Sequence, residues 1–298
     1  MGQARTEPLR RGDLQGTLAV ALAACGWGTW ALFLRGHGLP PGWQSVLILC
    51  VIALAALPAA LSRRGPRRAP RVWGLLLLAI ASESGNYFFY FSALDRGPIA
   101  VAVLTHYLAP VLVAVSAPFA LREKLGRRTP WSLIASLAGL ALLVLGSGGL
   151  SGAAGPAALL GAVSALFYGA NTLVSKKLLG PLSNAELLSY HCGGSALLLA
   201  LVLPLLTRDP LPPLRGFLWL PLAGALLLGA GGGALYYAGL RVIPAQRASV
   251  LTYLEPLVAA VVGVVAFGEQ PGLPGVLGAA LILAGGAFIA LSPVDPTQ

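Results

Sequence analysis

Ten stretches of this chain are almost wholly apolar, near residues 15–35, 43–62, 71–92, 98–121, 130–148, 156–178, 186–206, 217–240, 245–267 and 272–292. A helix that crosses a bilayer needs about 20 predominantly apolar residues. In hydrocarbon the backbone must satisfy its own polar groups, which leaves helices and closed barrels. The ten-residue alternating strands of a barrel are absent. Core helices of a soluble enzyme would carry a charged stripe, whereas here the charges fall between the runs. Only 10% of the 298 residues are charged and the mean hydropathy is +0.80, against about 25% charged in soluble domains. The expected fold class is an all-α polytopic membrane protein with ten transmembrane helices. The connections are too short for a soluble catalytic or regulatory domain. The first run follows a charged tail and is long enough to stay as a helix, an uncleaved signal anchor being the other reading.

The net charge of +10 is a matter of position. With the N-terminus inside and ten spans, Arg5, Arg10, Arg11, Arg63, Arg64, Arg67, Arg68, Arg71, Arg122, Lys124, Arg127, Arg128, Lys176, Lys177, Arg241 and Arg247 fall on the cytoplasmic side. Arg35, Arg96, Arg208 and Arg215 fall outside. Sixteen against four is the positive-inside pattern and puts both termini in the cytoplasm of a cell inner (plasma) membrane protein. The surplus matches anionic lipid at that surface. No basic module for nucleic acid is present. Cys25, Cys50 and Cys192 lie scattered in apolar runs, which gives neither a disulfide framework nor a metal motif. No metal and no cofactor are expected.

The chain also repeats itself. At an offset of 146 positions, residues 90–123 align with 236–269 without a gap. Identities include Tyr90/Tyr236, Pro98/Pro244, Tyr107/Tyr253, Pro110/Pro256 and Glu123/Glu269. A weaker match sets CGWGTWALFL beside LFYGANTLVS. Five spans per copy is an odd number, so the second copy enters the membrane from the opposite side. The result is two inverted five-helix repeats, a layout common among secondary transporters. The expected division is a tail at 1–14, repeats at 15–150 and 151–292, and a tail at 293–298.

The segments GWGTWALFL, SALDRGPIAVAVLTHYLAPVLVAVSAPFALREKL and AGLRVIPAQRASVLTYLEPLVAAVVGVVAFGE resemble the drug/metabolite transporter superfamily, in its ten-helix branch of paired EamA domains. The first copy departs from the second at its end, with Leu121 and Arg122 where the second has Phe267 and Gly268. The resemblance implies a permease, by family tendency an exporter, with a central cavity lined by both halves.

Ionisable groups inside a span are costly and usually face a cavity or a partner. Glu83, Asn86, Tyr87 and Tyr90 share one face of the third run, and Ser164, Tyr168, Asn171 and Ser175 share one face of the sixth. The fourth run offers His106 and Tyr107, the ninth Thr252, Tyr253 and Glu255, and the first Trp27. The candidate substrate-binding set is therefore Trp27, Glu83, Asn86, Tyr90, His106, Tyr107, Tyr168, Asn171, Thr252, Tyr253 and Glu255. Each has a bland alternative as interhelical glue. Glu83, Glu255 and His106 could serve proton coupling, with uniport or exchange also open. Pro110 and Pro256 remove matched intrahelical bonds and are candidate hinges or static bends. Gly229 and Gly233 form a GxxxG pattern expected to let two backbones approach. The expected partners are a small-molecule substrate, such as an amino acid, and the lipid bilayer. Two rival classes are kept. GLSG at 149–152 matches a short protease pattern with Ser151 as nucleophile, but it lies in the linker without its context. A non-transporting scaffold is the other. Oligomeric state leaves no mark on the sequence.

Overall fold

In the computed structural model the described residues are 11–34, 39–62, 68–96, 99–146, 154–206, 218–268 and 272–291. Arg5, Arg10, Arg35, Arg63, Arg64, Arg67, Pro98, Ser151, Arg208, Arg215 and Glu269 lie outside them.

The ten runs become ten spans. They are α1 (Arg11–Trp27 and Trp30–Leu34), α2 (Pro41–Leu61), α3 (Pro70–Arg96), α4 (Ile99–His106 and Ala109–Ala120) and α5 (Thr129–Gly146). The second copy gives α6 (Ala154–Leu178), α7 (Asn184–Leu206), α8 (Trp219–Val242), α9 (Ala245–Leu251 and Leu254–Phe267) and α10 (Leu273–Ala290). Eight segments are long and apolar enough on their own to cross a membrane. The other two are α3, which spans 27 residues but holds Glu83 mid-length, and α5, with 18 residues.

The packing obeys the duplication. Counterpart helices α2 and α7 pack together, as do α5 and α10, and α4 and α9. Among the other close pairs, α1 with α8 and α3 with α6 exchange into one another when the halves are swapped, as do α2 with α8 and α3 with α7. Inversion is visible at one end of the bundle. There Arg68, after α2, pairs with Glu186 at the start of α7 at 2.7 Å. Glu123, after α4, accepts the Ala245 N–H that opens α9, at 2.9 and 3.0 Å. Lys176, at the end of α6, donates to the carbonyls of Leu240 and Ile243, where α8 ends. A cation on those last carbonyls satisfies orphan acceptors and opposes the helix dipole. This end is called the basic face below.

Local sequence explains the helix starts. Ser183 and Glu186 form a capping box: Ser183 Oγ accepts the Glu186 N–H at 3.2 Å and Glu186 Oε2 accepts the Ser183 N–H at 2.8 Å. Gln246 bridges the halves, accepting from the Gly126 N–H and donating to the Lys124 carbonyl.

Both α4 and α9 are broken at matching places, before Pro110 and Pro256. Proline has no N–H to give to the carbonyl four residues back, so the ladder fails there. Leu108 bonds back three residues to Thr105, and Tyr253 back three to Val250. The glycines of α8 behave differently from the expected close backbone approach. The segment Ala225–Gly231 is a π-helix, and the two glycines receive side chains from two different helices. A Cβ on Gly229 would lie 2.8 Å from Ile52 Cγ1 of α2, and one on Gly233 would lie 2.9 Å from Leu188 Cδ2 of α7.

Candidate functional site

Between the halves lies a cavity of about 370 Å³, lined from α1, α2, α3, α4, α6, α7, α8 and α9. Trp27, Glu83, Asn86, Tyr90, His106, Tyr168, Asn171 and Glu255 all line it. Tyr107, Thr252 and Tyr253 do not.

The polar groups form a chain across three helices. Asn171 Nδ2 of α6 donates to Glu83 Oε2 of α3 at 2.8 Å. The Asn86 amide is a second partner of that carboxylate. Ser164 Oγ donates to Asn86 Oδ1 at 3.1 Å, and lies 2.6 Å from His106 Nδ1. A serine has one proton to give. With it spent on Asn86, His106 must donate from Nδ1, which leaves Nε2 as the acceptor. The imidazole lies parallel to Tyr168 with centroids 5.3 Å apart, and 4.2 Å from Tyr90. Glu255 enters from α9, with the Tyr107 side chain as hydrogen-bond partner. The cavity thus holds two carboxylates and a neutral-capable imidazole inside an aromatic shell. Among the described residues, none that lines it is lysine or arginine.

Trp27 does two jobs. Its Nε1 donates to the Leu228 carbonyl at 2.9 Å, a group in the π-helical turn, and its ring packs on Tyr236 at 5.2 Å. The three residues outside the lining have structural partners. Tyr253 Oη donates to the Tyr107 carbonyl at 2.9 Å, and the two rings lie 6.0 Å apart. These residues are repeat counterparts, so the bond straddles the pseudo-twofold axis. Thr252 Oγ1 donates to the Ser249 carbonyl at 2.7 Å and backs Tyr168.

Sequence reasoning missed Trp30, Gln44, Thr172, Cys192, Tyr236 and Tyr237, which also line the cavity. The repeat held a usable signal for two of them. Tyr236 and Tyr237 are the counterparts of Tyr90 and Phe91, and all four line the same space. Cys192 looked like a small packing residue and is buried and free, yet it faces the cavity. Trp30 follows the break of α1 at Gly28 and Thr29, which the apolar pattern hides, and Gln44 stands in the first turn of α2. Of the rival protease pattern, Ser151 falls outside the described residues.

Inverted halves, paired broken helices and a polar cavity between them are a layout that recurs among helical membrane transporters. The profile of the EamA-like transporter family matches residues 14–145 and 155–291, and the chain belongs to that family, part of the drug/metabolite transporter superfamily. It is 30% identical over 279 residues to an uncharacterised transporter of Archaeoglobus fulgidus, covering 91% of this chain and 94% of that one. It is 29% identical to the aromatic amino acid exporter YddG of Ancylobacter novellus, covering 89% and 93%. It is 28% identical to the uncharacterised transporter YxxF of Bacillus subtilis over 68% of this chain, and spans 65% of that relative's length. A crystal structure that is 28% identical superposes with a TM-score of 0.78, covering 92% of this chain and 97% of the other.

Proposed function

We propose that this transporter carries a small amine-bearing organic metabolite, of the amino-acid class, outward across the cell inner membrane by alternating access. The observation that carries the proposal is the pairing of Glu83 and Glu255 with an aromatic shell of Trp27, Tyr90, Tyr168 and Tyr236 in one cavity. A substrate ammonium is drawn to the carboxylates and to the ring faces. An apolar or aromatic side chain fills the rest. A substrate carboxylate would meet neutral donors, Asn86 among them. The likeness to a relative named as an aromatic amino acid exporter supports aromatic amino acids as the first compounds to try. The cavity volume lies within the range of small-molecule sites, about 300–1,000 Å³.

Glu83, at one end of the chain that reaches His106, and Glu255, bonded separately to Tyr107, supply groups able to take up a proton when substrate leaves. Pro110 and Pro256 supply the places at which the two halves bend. Both termini are assigned to the cytoplasm on the arginine distribution. The test is reconstitution into sealed vesicles with labelled phenylalanine, with and without a pH gradient. Flux that follows the gradient, and that loses this dependence in Glu83→Gln or Glu255→Gln, is the expected result. Flux indifferent to the gradient, and unchanged in both variants, removes proton coupling. No flux of any amino acid removes the substrate class.

A further inference from the structure

A second space opens at the basic face: a crevice of about 810 Å³ lined by Arg68, the 180–186 turn, Arg241 and small residues of α2 and α8. It is separate from the central cavity, yet the same helices build both. Along α2, Ile48 and Ile52 face the cavity, while Ala55, Ala56 and Ala59, one turn and two turns further on, face the crevice. Along α8, Gly229 and Gly233 face the cavity, while Ala230 and Ala234 face the crevice. Leu188 of α7 lines both.

We infer that this crevice is the basic-face vestibule of the transport path, and that Ile52 and Leu188 are the gate between it and the central cavity. The inference rests on the transport reading above. The partition is thin in a specific way. Ile52 rests on Gly229, and Leu188 rests on Gly233. One side of the barrier therefore has no side chains, and two aliphatic side chains close it. Side chains move between staggered rotamers, and a small shift of α8 relative to α2 and α7, worked against the Tyr237–His191 and Arg241–Asn184 contacts that tie α8 to α7, would part the layer. Along the crevice rim sit charges of both signs. Arg68 is paired with Glu186, and Arg241 donates to the Leu182 carbonyl at 2.9 Å and to Asn184 Oδ1 at 2.9 Å. A rim with guanidinium and carboxylate suits a small zwitterion better than a purely anionic solute.

Cys192 is a built-in reporter, one turn beyond Leu188 on α7 and facing the central cavity. In a full-length Cys25→Ser, Cys50→Ser background, a membrane-impermeant cationic methanethiosulfonate is applied to each side of oriented vesicles. Three results are expected. Ala56→Cys reacts from the basic face. Cys192 is shielded from that face. Leu188→Ala or Ile52→Ala speeds Cys192 labelling from the basic face at least about tenfold (a barrier change of about 1.4 kcal/mol), while its rate from the opposite face is unchanged. Labelling of Ala56→Cys from the opposite face alone overturns the inference. So does a Cys192 rate from the basic face that is the same before and after truncation. Labelling needs no flux, so a protein that labels as expected but moves no solute would sink the transport reading and leave the partition standing.

Discussion

Replacing Tyr253 with phenylalanine tests whether the two repeats are fastened to each other at their broken helices. The Tyr253 side chain is 1% exposed, and its hydroxyl donates to the Tyr107 carbonyl at 2.9 Å. That carbonyl needs a donor, because the break sends the Val111 N–H to Leu108 instead. Phenylalanine keeps the ring, so packing is preserved and no cavity opens. What is lost is one buried hydrogen bond, worth about 0.5–1.5 kcal/mol net, together with the cost of a stranded acceptor, about 1–3 kcal/mol. Part of the second figure is recovered if water reaches the break, so the expected destabilisation is about 1–2 kcal/mol. A loss of that size changes an equilibrium about 5–30-fold. The assay is reversible unfolding in lipid–detergent micelles, run beside Tyr253→Ala, for which removal of a buried aromatic ring predicts about 3–5 kcal/mol. A Tyr253→Phe protein as stable as the unaltered chain, in an assay that registers the alanine variant, refutes the reasoning. The ring stacking would then be the fastening and the hydroxyl an accessory.

Substitutions at three further positions have expected outcomes. Gly139→Ala should destabilise by about 1–3 kcal/mol, because a Cβ there would lie 2.6 Å from the Gly278 carbonyl oxygen and 2.9 Å from the Ile282 nitrogen; denaturant unfolding reads it. Trp27→Phe removes the bond to the Leu228 carbonyl in the π-helical turn and should cost about 1–2 kcal/mol, together with weaker substrate binding, read as a raised KM. Glu123 is held in a poorly hydrated position that raises its pKa above the ordinary 4.5, opposed by the Ala245 N–H, Lys176 and Gln246. A raised native value means that the folded protein binds the extra proton, so this contribution is full below the ordinary value and is lost as pH rises through the elevated one. Glu123→Gln should flatten that slope in a melting-temperature series against pH. Glu123→Ala, which strands the Ala245 N–H, should cost about 0.5–2 kcal/mol.

The architecture was legible because lipid leaves few options. The length of the apolar runs gives ten spans, the offset of 146 pairs the halves, and the basic residues, counted on those spans, agree with the inversion. Helix interruptions were partly legible. Pro110 and Pro256 announced two of them, while the break of α1 at Gly28 and Thr29 and the π-turn of α8 carry no proline and read as ordinary apolar sequence. The cavity was legible where a polar residue stands in hydrocarbon, as at Glu83, Asn171 and Glu255. It was illegible where an amphipathic side chain could equally be glue. Tyr107 and Tyr253 have the same composition signal as Tyr90 and Tyr168, yet the first two are fastened across the axis and the second two face the cavity. Helical periodicity gives no guidance at Tyr107 and Tyr253, because each stands at the break of its own helix.

The duplicated phrase LTHYLAP and LTYLEP separates what the two halves share from what they do not. The shared letters, tyrosine and proline, set backbone geometry: matched breaks in α4 and α9, fastened through Tyr107 and Tyr253. An inverted repeat can exchange conformations only if its two scaffolds are alike, so conserving geometry between the copies is what exchange requires. The letters that differ face the cavity or support its wall. His106 stands opposite Thr252 and Ala109 opposite Glu255; at the same offset, just ahead of the aligned segment, Tyr87 stands opposite Gly233. A substrate has no twofold symmetry, so a site built to hold one must break the symmetry of its scaffold. The acid of the second copy is one such departure. The glycine at 233 is another, and it leaves the space into which Leu188 closes.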